Sequence, residues 1–504
     1  MLAFFRGGSP ELEQLGSRLA ASLGLASSRS ADWHREGATI ACALQSPAPG
    51  VPVRAPRQSR SSWRPARSPS GRLVLFNGWF DNAAQLAREL DVTASDPAIV
   101  YGAAVDAWGD HAEQRIIGKY CAIMAAGDRG AVRLARSPLR APPLHYFFND
   151  EAVGAASVPR ALHLMGIEPR LNLRKLADNL YFNLTEDEGF YEGSYRVGTG
   201  EVVWLDGARR TSHRWFDPLA VPDLPPASLT ELVEEADRLL TEAGQACIAG
   251  SNQPGIQLSG GLDSTNVAAR VLRGLDESKR LKSFTFLPLP EWPDTETAQY
   301  FTNERSRVEA FVAMHPRIDP YFTHNPDGAF DDRLDQVFLL TGTGQGSMPV
   351  GHAYHGIYAL GREQGCDLIL SSDLGNATFS QSGEWSFAEN FRNGHWRTMV
   401  RDITSLTGSE RPLLRRILSL AVVPSLPLPA WRLWQRLKGE DPHPRNLDTA
   451  MLRPEAVARF DTVERARAAG VSYERDFHGY RHELIANQFC RDDIESADVL
   501  QGLE

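Results

Sequence analysis

The sequence predicts two domains that combine helices and strands: a layered α+β domain over residues 1–217 and an α/β domain with a parallel sheet over residues 228–504. The chain has 504 residues, which is more than one domain commonly holds. In the first half, predicted strands follow one another closely with two helices between them, a pattern typical of α+β layers. In the second half, strands alternate with helices, which indicates a parallel sheet. Prolines in residues 218–227 mark a linker between the domains.

The composition is that of an ordinary globular enzyme. Hydrophobic residues make up 42% of the chain and charged residues 23%, as in soluble domains. The net charge of −10 provides no field that attracts nucleic acid, so no nucleic-acid partner is expected. The five cysteines are scattered without a CxxC pair, and no apolar run is long enough for a transmembrane segment or a signal peptide. We therefore expect a cytoplasmic protein.

The first half of the chain contains several short strand patterns and two clear helices. A helix-like stretch over residues 12–25 precedes an Arg- and Pro-rich segment over residues 46–70, which is predicted to be an exposed loop or a docking surface for an acidic partner. A strand begins at residue 73 and runs into Asn77-Gly78, a pair that predicts a tight turn. Further strands are predicted over residues 118–124, 131–139, 143–148 and 152–157, and helices over residues 83–90 and 97–108.

Residues 70–215 resemble the glutamine-amidotransferase domain of the asparagine synthetase family, which has an Ntn-type layered fold. The resemblance rests on Asn77-Gly78 before an aromatic residue, on the Gly-x-aromatic run at Gly118, and on the Pro-Leu-x-Tyr run that ends at Tyr146. It implies that Asn77 and Gly78 correspond to the oxyanion-hole pair of glutamine-hydrolysing members. In those members a cysteine follows the initiator methionine, whereas this chain has Leu2. Because leucine cannot attack an amide, we expect a vestigial oxyanion turn and no glutaminase activity.

The second half is organised around residues 256–264, Ile-Gln-Leu-Ser-Gly-Gly-Leu-Asp-Ser. Apolar alternation at its start predicts a strand, and apolar residues at helical spacing beyond Leu262 predict a helix. Gly260 and Gly261 allow a tight turn that brings backbone N–H groups close to an anion. Strand, glycine turn and helix N-terminus together form a phosphate-binding site. Asp263, in the first helical turn, could hold Mg²⁺ against the phosphates.

This Ser-Gly-Gly-Leu-Asp-Ser run resembles the pyrophosphate-binding loop of the ATP pyrophosphatases, which split ATP into AMP and pyrophosphate. The resemblance implies a doubly wound parallel sheet and ATP as the nucleotide; the Walker loop needs Gly-Lys-Ser/Thr and is absent from this sequence. In this family the next strand, predicted over residues 281–287, borders the adenine. The Asn303-Glu304 pair resembles the helix start beside the nucleotide, so Glu304 either contacts the ATP or metal or faces the helix dipole.

A predicted strand over residues 366–370 ends in a polar loop. Asparagine synthetases have a Gly-x-Gly-x-Asp-Glu loop here; Asn376 stands where an aspartate helps to bind magnesium, and Asp373 where the family places a catalytic acidic or phenolic residue. The pattern Gly-Asn-x-Thr-x-Ser-x-x-Gly from Gly375 resembles the lasso-peptide cyclases, the macrolactam-forming branch. On chemical grounds Asp373, at the end of a parallel strand near a switch point, suits a base, a metal ligand or an Asx turn.

The candidate residues fall into two groups. Those predicted to bind ATP or pyrophosphate are Leu258, Ser259, Gly260, Gly261, Leu262, Asp263, Ser264, Thr285, Phe286, Glu304, Ser372, Gly375 and Asn376. Those predicted to be catalytic and to bind metal are Asp263 and Asp373.

The C-terminal part has fewer basic residues than the resemblance implies. Family members close a basic helical segment over the phosphates, but no lysine follows Lys438. Either Arg481 or Arg491 takes this role, or the chain is truncated. Residues 413–437, which are apolar and interrupted by prolines, are predicted to form an irregular helical extension or a surface for a peptide or partner protein.

The sequence thus predicts an ATP-dependent ligase that adenylates a carboxylate, releases pyrophosphate and couples the acyl group to an amine, with ATP and Mg²⁺. The favoured reaction is macrolactam cyclisation of a lasso precursor peptide, with a leader-peptide-binding protein and a leader protease as partners. The alternatives are an asparagine synthetase that uses glutamine or ammonia, a β-lactam synthetase, and an inactive scaffold or peptide-binding protein.

Overall fold

A computed structural model of the chain describes most of both predicted domains. The described ranges are residues 1–8, 11–24, 31–44, 64–93, 96–126, 130–138, 141–181, 187–217, 220–222, 224–225, 227–292, 302–342, 348–373, 375–380, 383–406, 411–440 and 450–469. Arg481, Arg491 and most of the Arg-rich segment 46–70 lie outside these residues. Within that segment, the predicted loop is wrong at one point, because Ala66–Arg67 pairs with the following strand as part of a sheet.

The first domain contains two six-stranded sheets, whose pairs are all antiparallel. One sheet has the order β10-β8-β9-β1-β3-β2, and the other has the order β12-β11-β7-β6-β5-β4. The strands are β1 (Leu2–Gly7), β2 (Asp32–Glu36), β3 (Thr39–Ala43), β4 (Ala66–Arg67), β5 (Leu73–Phe80), β6 (Gly118–Ala125), β7 (Val132–Arg136), β8 (His145–Phe148), β9 (Ala152–Ala156), β10 (Tyr195–Arg196), β11 (Glu201–Asp206) and β12 (Arg209–Arg214). The helices are α1 (Leu12–Gly24), α2 (Ala83–Glu89), α3 (Pro97–Trp108), α4 (Arg160–Leu164) and α5 (Leu173–Tyr181).

The two sheets stack face to face with helices on both outer faces. Alternate residues of β1 show this, since Leu2 and Phe4 belong to the core between the sheets while Phe5 packs with α1. The other sheet is covered by α2 and α3, which bury Leu86 and Tyr101 against it. Such a helix–sheet–sheet–helix arrangement follows from the period-two alternation of strands whose two faces are both buried. The predicted layered α+β domain is confirmed.

The second domain contains a four-stranded parallel sheet in the order β15-β14-β13-β16. Its strands are β13 (Pro254–Gln257), β14 (Leu281–Phe286), β15 (Ile318–Thr323) and β16 (Leu368–Leu370). The helices from the linker to β16 are α6 (Leu229–Ile248), α7 (Leu262–Gly274), α8 (Arg305–Met314), α9 (Leu334–Thr341) and α10 (Met348–Glu363). A Ser228–Glu231 capping box starts α6, as the sequence predicts.

Helices cover both faces of this sheet, so the predicted doubly wound architecture is confirmed. On one face, Val271 of α7 and Val308 of α8 share a buried cluster with Ile256 of β13. On the other face, Ile357 and Tyr358 of α10 belong to the cluster that contains Phe284, and this cluster continues into α1 of the first domain. One hydrophobic core therefore joins the two domains. Of the predicted linker 218–227, the described residues are exposed and lie outside any helix or strand.

Short helices follow the parallel sheet. They are α11 (Trp385–Arg392), α12 (Trp396–Ser405), α13 (Leu413–Ile417), α14 (Val423–Ser425), α15 (Leu428–Leu437), α16 (Pro454–Phe460) and α17 (Thr462–Ala468). The predicted irregular extension over residues 413–437 is confirmed, with a π-helical turn after α13 and a break at Pro427. Across the described ranges, no helix is both long and apolar enough to cross a membrane.

The last described helix ties the second domain to the first. Arg465 of α17 donates from Nε to Asp178 Oδ2 of α5 over 2.9 Å, and its Nη2 also reaches that carboxylate. Only 1% of the Asp178 side chain is exposed. A carboxylate so deeply buried requires a paired cation, so this ion pair links the two domains.

Candidate active site

The glycine loop lies between β13 and α7, as the sequence predicts. Gly261 is the N-cap of α7 and Leu262 is its first residue, which is 78% exposed. Ser259 and Ser264 stabilise the loop from within, because their hydroxyl oxygens lie 2.8 Å apart. Ser264 Oγ accepts a hydrogen bond from the Ser259 N–H, and Ser259 Oγ accepts one from the Gly261 N–H. The side chain of Ser264 is buried. Both hydroxyls thus fix the shape of the loop.

Two predicted nucleotide-binding residues support the loop from beneath. Thr285 Oγ1 donates to the Leu258 carbonyl over 2.7 Å, and Leu258 N donates to the Phe284 carbonyl over 2.9 Å. Both Leu258 and Thr285 are buried, so their side chains are not at the surface of the loop. Phe286 is half-buried and meets the ring of His352 edge to face, with centroids 5.6 Å apart. Of these residues, only Phe286 has a side chain that is partly exposed.

The loops after β13 and β16 meet at the point where the strand order reverses. The chain leaves β13 toward β14 on one side and returns as β16 on the other, which makes the edge between them a topological switch point. Ligands of parallel α/β sheets bind at such points, beyond the carboxyl ends of the strands. Gly375 is buried against the carboxylate of Asp263, and a Cβ added to it would lie 2.7 Å from Asp263 Cγ. The structure therefore brings two predicted site residues together.

Asp373 lies at the same edge, three residues beyond β16. Its exposed carboxylate accepts hydrogen bonds from Ser371 Oγ at 3.1 Å and from Tyr354 Oη at 3.4 Å. The Ser372 carbonyl accepts the Gly375 N–H at 3.0 Å and so shapes the turn that follows. An exposed carboxylate beside a nucleotide loop can accept a proton from a substrate amine.

Asn376 lies on a short 3₁₀ turn directly after Gly375 and is exposed. Its side-chain oxygen accepts a hydrogen bond from Ser380 Oγ at 3.2 Å. An amide oxygen is a weaker magnesium ligand than a carboxylate.

Glu304 occupies the N-cap position of α8 and reaches the glycine loop. The aliphatic part of Arg307 packs over Gly260, where an added Cβ would lie 2.9 Å from Arg307 Cβ. Burial raises the pKa of the Glu304 carboxyl, while the nearby Gly260 N–H and the charge of Arg307 oppose this rise. Glu304 thus places a half-buried carboxyl group beside the glycine loop.

The donor set fits Mg²⁺ bound together with a nucleotide. In the described parts of the chain, no group of three or more His, Cys, Asp or Glu side chains is arranged to hold a metal ion. Mg²⁺ in nucleotide enzymes commonly takes one or two carboxylates and completes its shell with phosphate oxygens and water. Asp263 would supply one such carboxylate at the loop, and Asp373 would supply a second at the same edge of the sheet.

The predicted turn at Asn77-Gly78 is wrong. Both residues lie inside β5 and pair with Cys121 and Tyr120 of β6. Gly78 has φ +132°, and a Cβ there would lie 2.6 Å from Tyr120 Cα, so only glycine fits the close approach of the strands. The local Asn-Gly signal indicates a turn, but pairing along the whole of β5 overrides it.

The surroundings of Asn77 contain a thiol that the sequence did not single out. Cys121 is the β6 residue that pairs with Asn77, its Sγ donates to the Pro143 carbonyl over 3.9 Å, and burial raises the pKa of that thiol to about 11. Leu2, where glutamine-hydrolysing members are expected to carry their nucleophile, is buried in the core between the sheets. A protonated, enclosed thiol is a poor nucleophile.

Family models match both halves of the chain. A glutamine amidotransferase domain model matches residues 58–216, and an asparagine synthase model matches residues 235–497, just over half of the chain. The chain belongs to the asparagine synthase family. The glycine loop, the switch point of the parallel sheet and the two-sheet first domain all agree with this assignment.

Three curated relatives are similar to this family member over part of their length. Amidase chry2 of Gibberella zeae is 23% identical over 56% of this chain and 44% of its own. The carboxyethyl-arginine β-lactam-synthase of Streptomyces clavuligerus is 25% identical over 57% of this chain and 56% of its own. A putative glutamine-hydrolysing asparagine synthetase of Methanocaldococcus jannaschii is 22% identical over 42% of each chain. The chain thus spans about half the length of the curated relatives it matches.

Among solved structures, the glutamine phosphoribosylpyrophosphate amidotransferase of B. subtilis is similar at 12% identity, with 64% of this chain and 90% of that chain covered and a TM-score of 0.31. A likeness at this level adds nothing to the family assignment.

Sequence reasoning missed three residues that the fold brings to the site: Gln257, Tyr354 and Tyr358. Gln257 Nε2 donates to Tyr358 Oη over 2.9 Å, and the rings of Tyr354 and Tyr358 stack with centroids 5.7 Å apart. The two tyrosines are four residues apart, so they share one face of α10. This spacing was visible in the sequence, but nothing local showed that the face meets Asp373.

Proposed function

We propose that the protein is an ATP-dependent ligase that activates a carboxylate as an acyl-adenylate and couples it to an amine. The observation that carries the proposal is the meeting of Asp263 and Gly375 at the switch point of the parallel sheet. The glycine loop there offers a helix N-terminus for phosphate, and Asp373 lies at the same edge. Membership in the asparagine synthase family and the names of the relatives support the same reaction class.

The proposed chemistry has two steps. In the first, a substrate carboxylate oxygen attacks the α-phosphorus of ATP, the bond to the β-phosphate oxygen breaks, and pyrophosphate leaves from the glycine loop. In the second, an amine nitrogen attacks the acyl carbon, the bond to the AMP oxygen breaks, and AMP leaves. The amine loses a proton in this step, and the Asp373 carboxylate is placed to accept it. Mg²⁺, when bound, neutralises phosphate charge beside Asp263.

The favoured amine is one carried by the substrate itself. The first domain presents Leu2 and the enclosed thiol of Cys121 where glutamine hydrolysis would need an accessible nucleophile. The Gly375-Asn376 loop pattern supports a peptide substrate, so we propose macrolactam closure of a lasso precursor peptide. A leader-peptide-binding protein and a leader protease are the partners that this reaction requires.

A second candidate is closure of a small β-lactam ring. A relative whose name describes it as a carboxyethyl-arginine β-lactam-synthase favours this candidate, because it aligns with more than half of the chain. Both candidates close a ring by intramolecular attack. They differ in the size of the molecule that the switch-point edge must hold.

Exchange of radiolabelled pyrophosphate into ATP tests the proposal, because exchange requires reversible formation of an adenylate. The enzyme is offered ATP and Mg²⁺ with one of three probes: a synthetic linear peptide with a free N-terminus and an internal glutamate, carboxyethyl-arginine, or aspartate with ammonium. Exchange with the peptide, and a product lighter by one water, supports macrolactam closure. Exchange with another probe alone selects the corresponding alternative. No ATP binding and no exchange with any probe would overturn the ligase proposal in favour of an inactive scaffold.

A further inference from the structure

Helix α6, the first helix of the second domain, carries an apolar stripe that is largely exposed. The residues of the stripe recur every three or four positions, which places them on one face of the helix. They begin with Leu229, Leu232, Val233, Ala236, Leu239 and Leu240. Among the larger side chains, Leu229 is 78% exposed, Val233 58% and Leu239 51%. Contiguous apolar surface of this kind marks an interaction site.

A different face of α6 packs inside the protein. Gly244 and Ile248 are the buried residues of the helix, and a Cβ added to Gly244 would lie 3.2 Å from a methyl carbon of Val271 on α7. Asp237, on the same face, pairs with two arginines of α7. At about 100° per residue, this face lies roughly a third of a turn from the stripe. Packing on α7 therefore leaves the α6 stripe at the surface.

The charged residues that flank the stripe already have partners within the chain. Arg238 forms ion pairs with Glu235 and Glu242 of its own helix, and Asp237 is held by the arginines of α7. A second apolar surface can therefore cover the stripe without burying an unpaired charge, which would be costly. The occupant that fits is thus an apolar helix face and not a highly charged ligand.

A second copy of α6 provides such a face. Ala236 is at the middle of the stripe, and apolar residues stand three, four and seven positions from it on both sides, as far as Leu229 and Ala243. In an antiparallel pair about a two-fold axis, each residue meets the one at the same distance on the other side of the centre. Leu232 then meets Leu240 of the other copy. Ala236 meets its own copy at the axis, where small side chains let two helices approach closely.

We propose that two copies of the chain associate through antiparallel pairing of their α6 stripes. The inference does not rest on the proposed ligase function. The stripe is about 21 Å long at 1.5 Å per residue and about 10 Å wide, so one pair of helices buries less than the about 1,600 Å² of a standard interface. The dimer is therefore weak, and its population depends on protein concentration. Each copy carries a net charge of −10, so added salt strengthens the association by screening the repulsion.

Sedimentation velocity of the full chain, over about a hundredfold range of concentration, tests the proposal. The expected result is a shift from monomer to dimer that is more complete at high salt. Ala236→Glu brings two carboxylates together at the axis, so the dissociation constant rises about a hundredfold. Ala236 is exposed and glutamate is a good helix former, so this variant keeps its fold. Thr230→Glu adds the same charge at an exposed position outside the stripe, and as the matched control it dimerises like wild type.

Cross-linking tests the antiparallel geometry. Cys247→Ser serves as the background, because Cys247 is an exposed thiol on the same helix. In Ala236→Cys, the two introduced thiols meet at the axis, within the Cα separation of about 4.4–6.8 Å that a disulfide allows. Mild oxidation therefore links the two copies. Thr230→Cys in the same background stays unlinked.

Four results contradict the inference. A chain that stays monomeric at every concentration and salt level overturns the dimer. A dimer whose dissociation constant is unchanged in Ala236→Glu places the contact elsewhere. Equal cross-linking of Ala236→Cys and Thr230→Cys overturns the antiparallel arrangement. A monomer that binds the linear peptide probe, and loses this binding in Ala236→Glu, makes the stripe a peptide surface instead.

Discussion

The carboxylate of Asp263 packs against the backbone of Gly375, so that a methyl group at position 375 would lie 2.7 Å from Asp263 Cγ. Two loops that are more than a hundred residues apart in the chain thus share one contact at the end of β13 and β16. The contact leaves no room for any residue but glycine unless Asp263 moves. It defines the site more sharply than either loop does alone.

Substitution of Gly375 tests this contact directly. In Gly375→Ala the added methyl group displaces the Asp263 carboxylate, and misplacement of a catalytic group by about 1 Å costs on the order of a hundredfold in rate. We expect pyrophosphate exchange to fall by about that factor. Gly8→Ala is the control, because a Cβ there meets nothing within 4 Å. Unchanged exchange in Gly375→Ala would show that the contact is irrelevant to activity.

Removal of the Asp263 charge is expected to weaken metal-dependent nucleotide binding. Asp263→Asn keeps the size of the side chain but loses the negative oxygen that Mg²⁺ requires. Exchange should fall about a hundredfold, and the Mg²⁺ concentration needed for half-maximal exchange should rise. Asp206→Asn, at the exposed end of β11, provides the comparison. Wild-type Mg²⁺ dependence in Asp263→Asn would remove Asp263 from the metal site.

Neutralisation of Glu304 is expected to strengthen ATP binding. Its half-buried carboxylate lies beside the glycine loop and repels phosphate, so Glu304→Gln should bind ATP about fivefold more tightly by calorimetry. Glu309→Gln removes an exposed charge from the same helix and should leave the affinity unchanged. Weaker binding in Glu304→Gln would mean that Glu304 shapes the loop for ATP instead of competing with it.

Loss of the interdomain ion pair between Arg465 and Asp178 is expected to lower the free energy of unfolding without changing the candidate active site. Arg465→Met leaves the buried Asp178 carboxylate without its α17 partner, which typically costs about 3 kcal/mol. Thermal unfolding should therefore begin several degrees lower. Arg459→Met, on the neighbouring helix α16 and exposed, is the control. An unchanged midpoint in Arg465→Met would show that the two domains do not depend on this pair.

The cysteines of the first domain are expected to resist alkylation. Burial raises the pKa of Cys121 to about 11 and that of Cys42 to about 12, so at pH 8 both thiols stay protonated as well as enclosed. Iodoacetamide should modify the exposed Cys247 first, as read by peptide mass spectrometry. An electrophilic glutamine analogue should leave Cys121 unlabelled. Labelling of Cys121 would restore glutamine hydrolysis as an activity of this domain.

Local patterns predicted the elements well where a short stretch decides its own conformation. The capping box of Ser228 and Glu231 starts α6 as expected, because both partners lie within one helical turn. The loop at Gly260-Gly261 likewise opens a helix where the sequence places it. The turn at Asn77-Gly78 failed for the opposite reason: its conformation depends on β6, which lies forty residues further along the chain.

The sequence by itself determined the glycine loop between a strand and a helix, the order of the two domains and the leucine at position 2, because each of these can be recognised in short runs of residues. Only the tertiary structure decided that Gly375 lies against Asp263, that Ser264 stabilises the loop from within and Thr285 from beneath, and that Tyr354 reaches Asp373. The reason is that parallel strands bring distant loops to one edge of a sheet. Which side chains meet there depends on strand order and helix packing, and no local pattern encodes either.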